Sequence, residues 1–413
     1  MARELNAASI PRGWTYGLLD DYAERCSGHT PSKSHPEYWN GGIKWISLAD
    51  TFRLDNGLVK ETDKEISDLG IQNSSAQIHP AGTVVLSRDA GIGKSGVMAE
   101  PMAVSQHFIA WKCDANKKLH NWYLYNWLQL HKPEFERQAV GSTIKTIGLS
   151  YFKKLKIAAP SYEEQRKIAK ILSTWDKAIS TTEKLIESSK QQKKALMQQL
   201  LTGKKRLVNH ETGKAFDGDW NSQPISSLIT ESRIAGTNGE LARKLTVKLY
   251  GKGVTQKEEK RLGSSSTKYY KRKSGQFIYS KLDFLNGAFG IIPEHLDGFE
   301  STLDLPAFDF SEAVEPNWFI EFVSRDDFYT SNLGLANGGR KARRVNPKDL
   351  LQIKVQVPSL EEQQKIASVL TAADKEIEVL EAKLVHFKQE KKALMQQLLT
   401  GKRRVKVDEM EVA

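Results

Sequence analysis

The chain has 413 residues, 39% of them hydrophobic, with 61 Lys and Arg against 50 Asp and Glu for a net charge of +11; this length predicts two or three domains with their own cores, and the charge favours polyanions, nucleic acid before anionic membrane. No apolar run approaches the roughly 18 residues of a membrane span and the first 14 residues lack a signal-peptide pattern, so a cytoplasmic protein without membrane contact is expected. Two distant cysteines, Cys26 and Cys113, exclude a disulfide framework and cysteine-rich zinc sites.

Residues 1–159 form a first variable segment of mixed α/β character. TVVLS (83–87) and FIAWKC (108–113) have strand composition, and NWYLYNWLQL (121–130) reads as a buried helix. Between the strands, Gly91-Ile-Gly93-Lys94-Ser95-Gly96 imitates a phosphate loop, but Arg88 stands where a P-loop needs glycine and Val97-Met98-Ala99-Glu100-Pro101 cannot open the required helix. The motif is read as a tight turn presenting Arg88, Lys94 and backbone amides, a set suited to DNA phosphates. Cys26-x-x-His29 with His35 lacks a fourth zinc ligand. Lys33 and Lys44-Trp45 flank Tyr38 and Trp39, so basic groups and aromatic rings interleave. Each cluster alone could be a solvated loop; their presence in both variable segments favours a DNA surface.

Residues 160–206 are a helical segment that returns, without a gap, at 358–404, an offset of 358 − 160 = 198 with 28 of 47 positions identical. Each copy opens with a capping box, Ser161-x-x-Glu164 or Ser359-x-x-Glu362, and closes at Gly203 or Gly401. Capping and the helix dipole account for the paired glutamates. Apolar positions spaced 4 and 3 apart, Ile168, Leu172, Trp175, Ile179 and Ile186 in one copy and Ile366, Leu370, Ile377, Leu384 and Phe387 in the other, form a coiled-coil seam. Trp175 answers Ala373 between the copies and Ser189 answers Phe387, which predicts that the helices pair within one chain; separate packing, or a homodimer, is the alternative. Lys193 and Lys391 interrupt the seam, where a polar group fixes register or marks splayed ends that dock a partner.

The second variable segment, 207–357, has strands at QFIYSK (276–281) and IKVQV (353–357). Its basic stretches are Lys268-Tyr269-Tyr270-Lys271-Arg272-Lys273, Lys281, and Arg340-Lys341-Ala342-Arg343-Arg344. Glu258-x-Lys260 lacks an upstream carboxylate to hold Mg²⁺ and reads as surface. The charged tail after Gly401, with 405–413 beyond the repeat, is expected to fray. Neither a nucleophile elbow nor a metalloprotease motif is present, and no Asn-Pro-Pro-aromatic methyltransferase tetrapeptide occurs. Intrinsic catalysis has no support in these residues.

Gly28-x-Thr30-Pro31-Ser32 followed by Tyr38-Trp39-x-Gly41-Gly42-Ile43-x-Trp45-Ile46-Ser47 resembles the opening of a target-recognition domain in the specificity subunits of type I restriction-modification systems. Gly275 to Lys281 and Gly287 to Pro293 resemble a second subtype, and the Pro-Ser-x-Glu-Glu-Gln repeats ending in Leu-Leu-Thr-Gly-Lys resemble that family's spacer helices. The second segment lacks the Gly-x-Thr-Pro opening, so the two domains should read different bases. The resemblance implies an α+β fold: two mixed α/β target-recognition domains (1–159 and 207–357) separated by two long antiparallel coiled-coil helices (160–206 and 358–404) with pseudo-twofold symmetry. It further implies a non-catalytic subunit that binds a bipartite site on double-stranded DNA, one half per domain. Two methylation subunits would carry S-adenosylmethionine and modify adenine, restriction subunits would add ATP- and Mg²⁺-dependent translocation and cleavage, and this chain would hold no cofactor. An orphan DNA- or RNA-binding coiled-coil scaffold is the alternative.

Overall fold

The computed structural model describes residues 10–114, 116–142, 145–209, 211–258, 263–331 and 344–407. The first variable segment contains, in order, β1 (Thr15–Leu18), β2 (Glu24–Ser27), β3 (Trp39–Ile46), β4 (Leu58–Val59), β5 (Lys64–Ile66), α1 (Asp68–Gln72), β6 (Val84–Ser87), β7 (Ser95–Met98), β8 (Ala103–Val104), β9 (Phe108–Lys112), α2 (Asn121–Gln138), α3 (Leu149–Lys153) and β10 (Lys156–Ala159). The strands expected at 83–87 and 108–113 are β6 and β9. They sit inside a five-stranded sheet of order β2-β9-β6-β7-β4, beside a three-stranded sheet β5-β3-β8 and the pair β1-β10. Side chains alternate across β6 and β9. Val84, Leu86, Ile109 and Trp111 face α2, while Val85 and Ala110 join Ile46 and Met98 on the other side. The helix expected over 121–130 runs on to Gln138 through Pro133. A proline there removes one helical hydrogen bond, and fully buried Phe135 anchors the turn beyond it.

A 39-residue helix follows, α4 (Tyr162–Leu200). The second variable segment is β11 (Asn221–Pro224), β12 (Ile229–Ser232), β13 (Ala235–Asn238), β14 (Leu245–Val247), β15 (Val254–Gln256), β16 (Lys268–Lys271), β17 (Phe277–Tyr279), β18 (Phe289–Ile291), β19 (Glu300–Ser301), β20 (Ala307–Phe310), α5 (Pro316–Val323), α6 (Asp326–Ser331), α7 (Pro347–Leu351) and β21 (Lys354–Val357). The strands expected near 276 and 353 are β17 and β21. The segment's largest sheet is β12-β20-β17-β18, and its core is aromatic, with Phe277, Tyr279 and Phe308 packed on Trp318 and Phe319 of α5. The chain then enters a second 39-residue helix, α8 (Leu360–Leu398). Among the described residues no helix is long and apolar enough to cross a membrane.

Two compact units emerge, one of residues 1–182 with 383–413, the other of residues 183–382. Their boundaries cut both long helices in the middle, so each unit owns one variable segment, half of α4 and half of α8. In the first unit, Trp175 meets Phe387 edge to face at 5.6 Å, and seam residue Lys391 pairs with Asp176. In the second, Lys193 reaches Asp374 at 2.7 Å and Glu321 at 2.9 Å, and Lys190 reaches Glu381 at 2.6 Å. In each unit one half-helix therefore runs antiparallel to the other within the single chain. The seam lysines are neither bare nor splayed: each is neutralised by an aspartate from the opposite helix, which specifies register through charge.

Within each unit the repeat closes on itself through residues that the capping-box reading misassigns. Ser161 and Ser359 do cap, their hydroxyls accepting from the backbone N–H of Glu164 (3.4 Å) and Glu362 (3.3 Å). The glutamate side chains do not return to the cap. Glu164 takes both Nε (2.8 Å) and a terminal nitrogen (2.6 Å) of Arg404, and Glu362 takes Nε (2.6 Å) and a terminal nitrogen (2.8 Å) of Arg206. Both carboxylates are almost fully buried, and bidentate charge-assisted bonds meet their need for partners. The residues after Gly401 are thus tied down as far as Arg404 and Val405, whose N–H donates to Glu164, rather than frayed. A side chain at Gly401 would strike Pro11, and Trp14 lies against the same spot, just as Trp220 lies against Gly203. The neighbouring glutamines repeat as well: Gln165 accepts from the His120 N–H and donates to Pro160, and Gln363 accepts from the Glu315 N–H and donates to Pro358.

Candidate nucleic-acid interface

In the first unit several loops meet at the turn between β8 and β9. Gly28 packs so tightly that a Cβ would stand 2.0 Å from the Val104 carbonyl, and the His29 N–H donates to that oxygen at 3.0 Å. The loop carrying Thr30 and Lys33 is therefore laid against the turn between β8 and β9. Arg88 N–H donates to His107 O at 3.0 Å and Ile147 N–H to Arg88 O at 2.8 Å, which brings the β6 end and the loop before α3 to the same edge. Lys33 and Gln106 are exposed there. Gly41 of the Tyr38-Trp39-x-Gly41 stretch serves packing: a Cβ on it would meet Ser67.

Several of the expected contact residues face inward. Trp45 is buried, and its Nε1 donates to His29 O at 3.0 Å. Lys44 donates to Lys60 O at 2.6 Å and pairs with Glu100 at 2.8 Å; the hydrogen bond to Glu100 holds its ammonium above the ordinary pKa. Arg88 donates to Ile147 O at 3.1 Å, and Lys94 to Thr51 O at 3.2 Å. The glycine turn is the tight β6–β7 connection expected, with Gly91 and Gly93 at positive φ, yet its two cations hold neighbouring loops in place instead of standing free. A cleft of about 520 Å³ beside it is lined by Lys94, Lys132 and Lys145 together with Asp89 and Glu136. Among the described residues no cluster of three His, Cys, Asp or Glu side chains could hold a metal.

In the second unit Lys268 and Lys271 are exposed on β16, the central strand of the sheet β13-β16-β19, with Tyr269 and Tyr270 half-buried between them. Lys244 lies over the Tyr269 ring at 5.5 Å. Arg272, in the middle of the basic run, is not a surface group. It is 1% exposed and donates to Ser301 Oγ (2.8 Å), Ser232 O (2.8 Å) and Leu305 O (3.2 Å), and burial pulls its pKa down to about 10. It ties β16 to the 301–305 turn. Asp304 of that turn pairs with Arg344 at 3.1 Å and its carbonyl accepts from the Lys281 N–H, so β16, Lys281 and Arg344 lie along one continuous path. Arg340, Lys341 and Arg343 lie outside the described residues.

A chain built of two unlike α/β segments on a duplicated helical frame, with polar edges on each, invites comparison with known proteins. Residues 11–190 and 328–386 match the family model described as type I restriction modification DNA specificity domain. A specificity subunit of the type I restriction enzyme MjaVIII from Methanocaldococcus jannaschii is 25% identical over 98% of this chain and 96% of its own length. The MjaIX specificity subunit from the same organism is 30% identical over 44% of this chain and 42% of its own. The crystal structure of the type I restriction-modification S subunit from M. genitalium superposes with a TM-score of 0.57 at 16% identity, covering 96% of this chain and 97% of that one. A chain from a structure of type I system assembly and conformational transition gives 0.59 at 13%, over 95% and 99%. The family model spans more than half of the chain, and the chain belongs to the type I restriction-modification DNA specificity family.

Proposed function

We propose that this chain is the DNA sequence-specificity subunit of a type I restriction-modification complex, each variable segment reading one half of a bipartite site. The observation that carries the reading is the repeated closure of Glu164 on Arg404 and Glu362 on Arg206: one polypeptide builds the same helical mount twice and seats a different α/β segment on each. Two methylation subunits would be held on the helices and supply S-adenosylmethionine-dependent adenine methylation; restriction subunits would supply ATP- and Mg²⁺-driven translocation and cleavage. The chain itself would hold none of these cofactors, catalyse nothing alone and work in the cytoplasm on double-stranded DNA.

The test is reconstitution. Purified chain with S-adenosylmethionine, ATP and Mg²⁺ should leave DNA unmethylated and uncut, whereas adding its methylation subunits should yield methylation at one bipartite motif. Binding of that complex should weaken steeply with salt, because Lys and Arg contacts to phosphate release counterions. Methylation by the lone chain, or a complex whose methylation pattern is independent of this chain, would overturn the assignment.

A further inference from the structure

The expected cations of the first unit are largely committed to internal partners, which leaves the question of what there reads a base. Gln106 is exposed at the tip of the β8–β9 turn, a turn closed by Phe108 N–H donating to Ser105 O at 3.1 Å and anchored by Ser105 N–H on Ile46 O at 2.9 Å. The Thr30 hydroxyl donates to Gln106 Oε1. On the other side Gln106 Nε2 stands 3.5 Å from His107 Nε2. The His107 ring is itself fixed, its Nδ1 2.5 Å from Asp89 Oδ2, and Asp89 also accepts from Thr146 Oγ1. Separate stretches of chain thus converge to hold one exposed carboxamide.

Resting on the specificity-subunit reading, we propose that Gln106 reads an adenine through the major groove in the half-site served by the first unit, with Thr30 and His107 as positioning residues. A carboxamide has two acceptor lone pairs and two N–H donors. Thr30 uses one lone pair and His107 one N–H, so one of each remains. That remaining couple matches the N7 acceptor and N6 donor of adenine; guanine offers two acceptors at the same edge, and the unspent lone pair would face one of them. Fixing the amide beforehand also lowers the ordering entropy that a free glutamine would lose on binding.

The experiment uses the complex of this chain with its methylation subunits and a set of duplexes in which each A·T pair of the recognised site is replaced, singly, by G·C or by 7-deazaadenine·T. The wild-type complex is expected to lose about tenfold or more in affinity at one A·T pair, and Gln106→Ala to be indifferent at that pair while matching wild type at all others. If Gln106→Ala is poorly folded, Thr30→Val, which keeps the glutamine and removes its clamp, should blunt discrimination at one and the same pair. A Gln106→Ala complex as discriminating as wild type at every pair overturns the assignment, as does a site with no such pair. A wild-type complex with no sequence preference at all would instead overturn the specificity-subunit reading beneath it.

Discussion

At the scale of single residues, the buried ionisable groups of the first unit make a pH prediction. Burial lowers the pKa of His79, His120 and His131, and the described surroundings leave both ring nitrogens of His79 without a hydrogen bond. In the unfolded chain these imidazoles titrate near the ordinary value of about 6.5. A depressed folded pKa means that the unfolded state binds more protons, so stability is complete above about 6.5 and is lost as pH falls from there toward the folded pKa. Calorimetry should show this unit melting at a lower temperature at pH 5.5 than at pH 7.5, with a smaller gap in His79→Phe; an unchanged gap would mean that His79 is not the main contributor. Residue identity told only part of this in the sequence. Arg88, Lys94 and Arg272 read as surface cations because charge is visible in sequence and burial is not, and the carbonyls that receive them, Ile147, Thr51 and Leu305, belong to distant loops.

At the scale of elements, the long helices were legible and their closure was not. A seam at spacing 4 and 3 shows in the sequence because it is local, and so do Ser161, Ser359, Gly203 and Gly401 at the helix ends. The bond between Glu164 and Arg404 joins positions 240 residues apart, and a capping box offered a sufficient local reason for the same glutamate. The duplication held the clue: the Glu-Glu-Gln at the start and the arginine at the end repeat with equal fidelity, as two halves of one contact would. Glu362 is 1% exposed, with Arg206 at 24% and the Trp220 N–H also donating to it, whereas Arg404 opposite Glu164 is 45% exposed. Removing one partner of a buried pair strands the other, on the order of 3 kcal/mol, and water relieves an exposed arginine more readily. Glu362→Ala should therefore destabilise the second unit by about that amount in denaturant unfolding, and Glu164→Ala should destabilise the first unit less. Equal losses would show that the exposure of the arginine does not set the cost, and no loss in either variant would show that the bidentate pairs are not what closes each unit.

At the scale of the whole molecule, the long helices are the only described regular elements shared between the compact units. α4 passes from the first to the second between Thr182 and Glu183, and α8 returns between Ala382 and Lys383. At 1.5 Å per residue each 39-residue helix is about 58 Å long, and on the specificity-subunit proposal base identity would belong to the variable segments. Spacing between half-sites should then depend on helix length alone. Seven residues inserted between Thr182 and Glu183 keep every seam position on its face and add about 10 Å, close to 3 bp of DNA. One such insertion is not enough, because each unit grips half of both helices: Lys391 holds Asp176 in the first, and Lys193 holds Asp374 in the second. Lengthening α4 alone would put the two sets of pairs out of step, so a matching heptad belongs between Ala382 and Lys383. Mapping methylated adenines in cells that carry the doubly extended chain should show the same half-site bases with a non-specific gap longer by about 3 bp, and the singly extended chain should lose specific methylation. An unchanged gap in the double insertion, or altered half-site bases, would mean that something other than α4 and α8 sets the spacing.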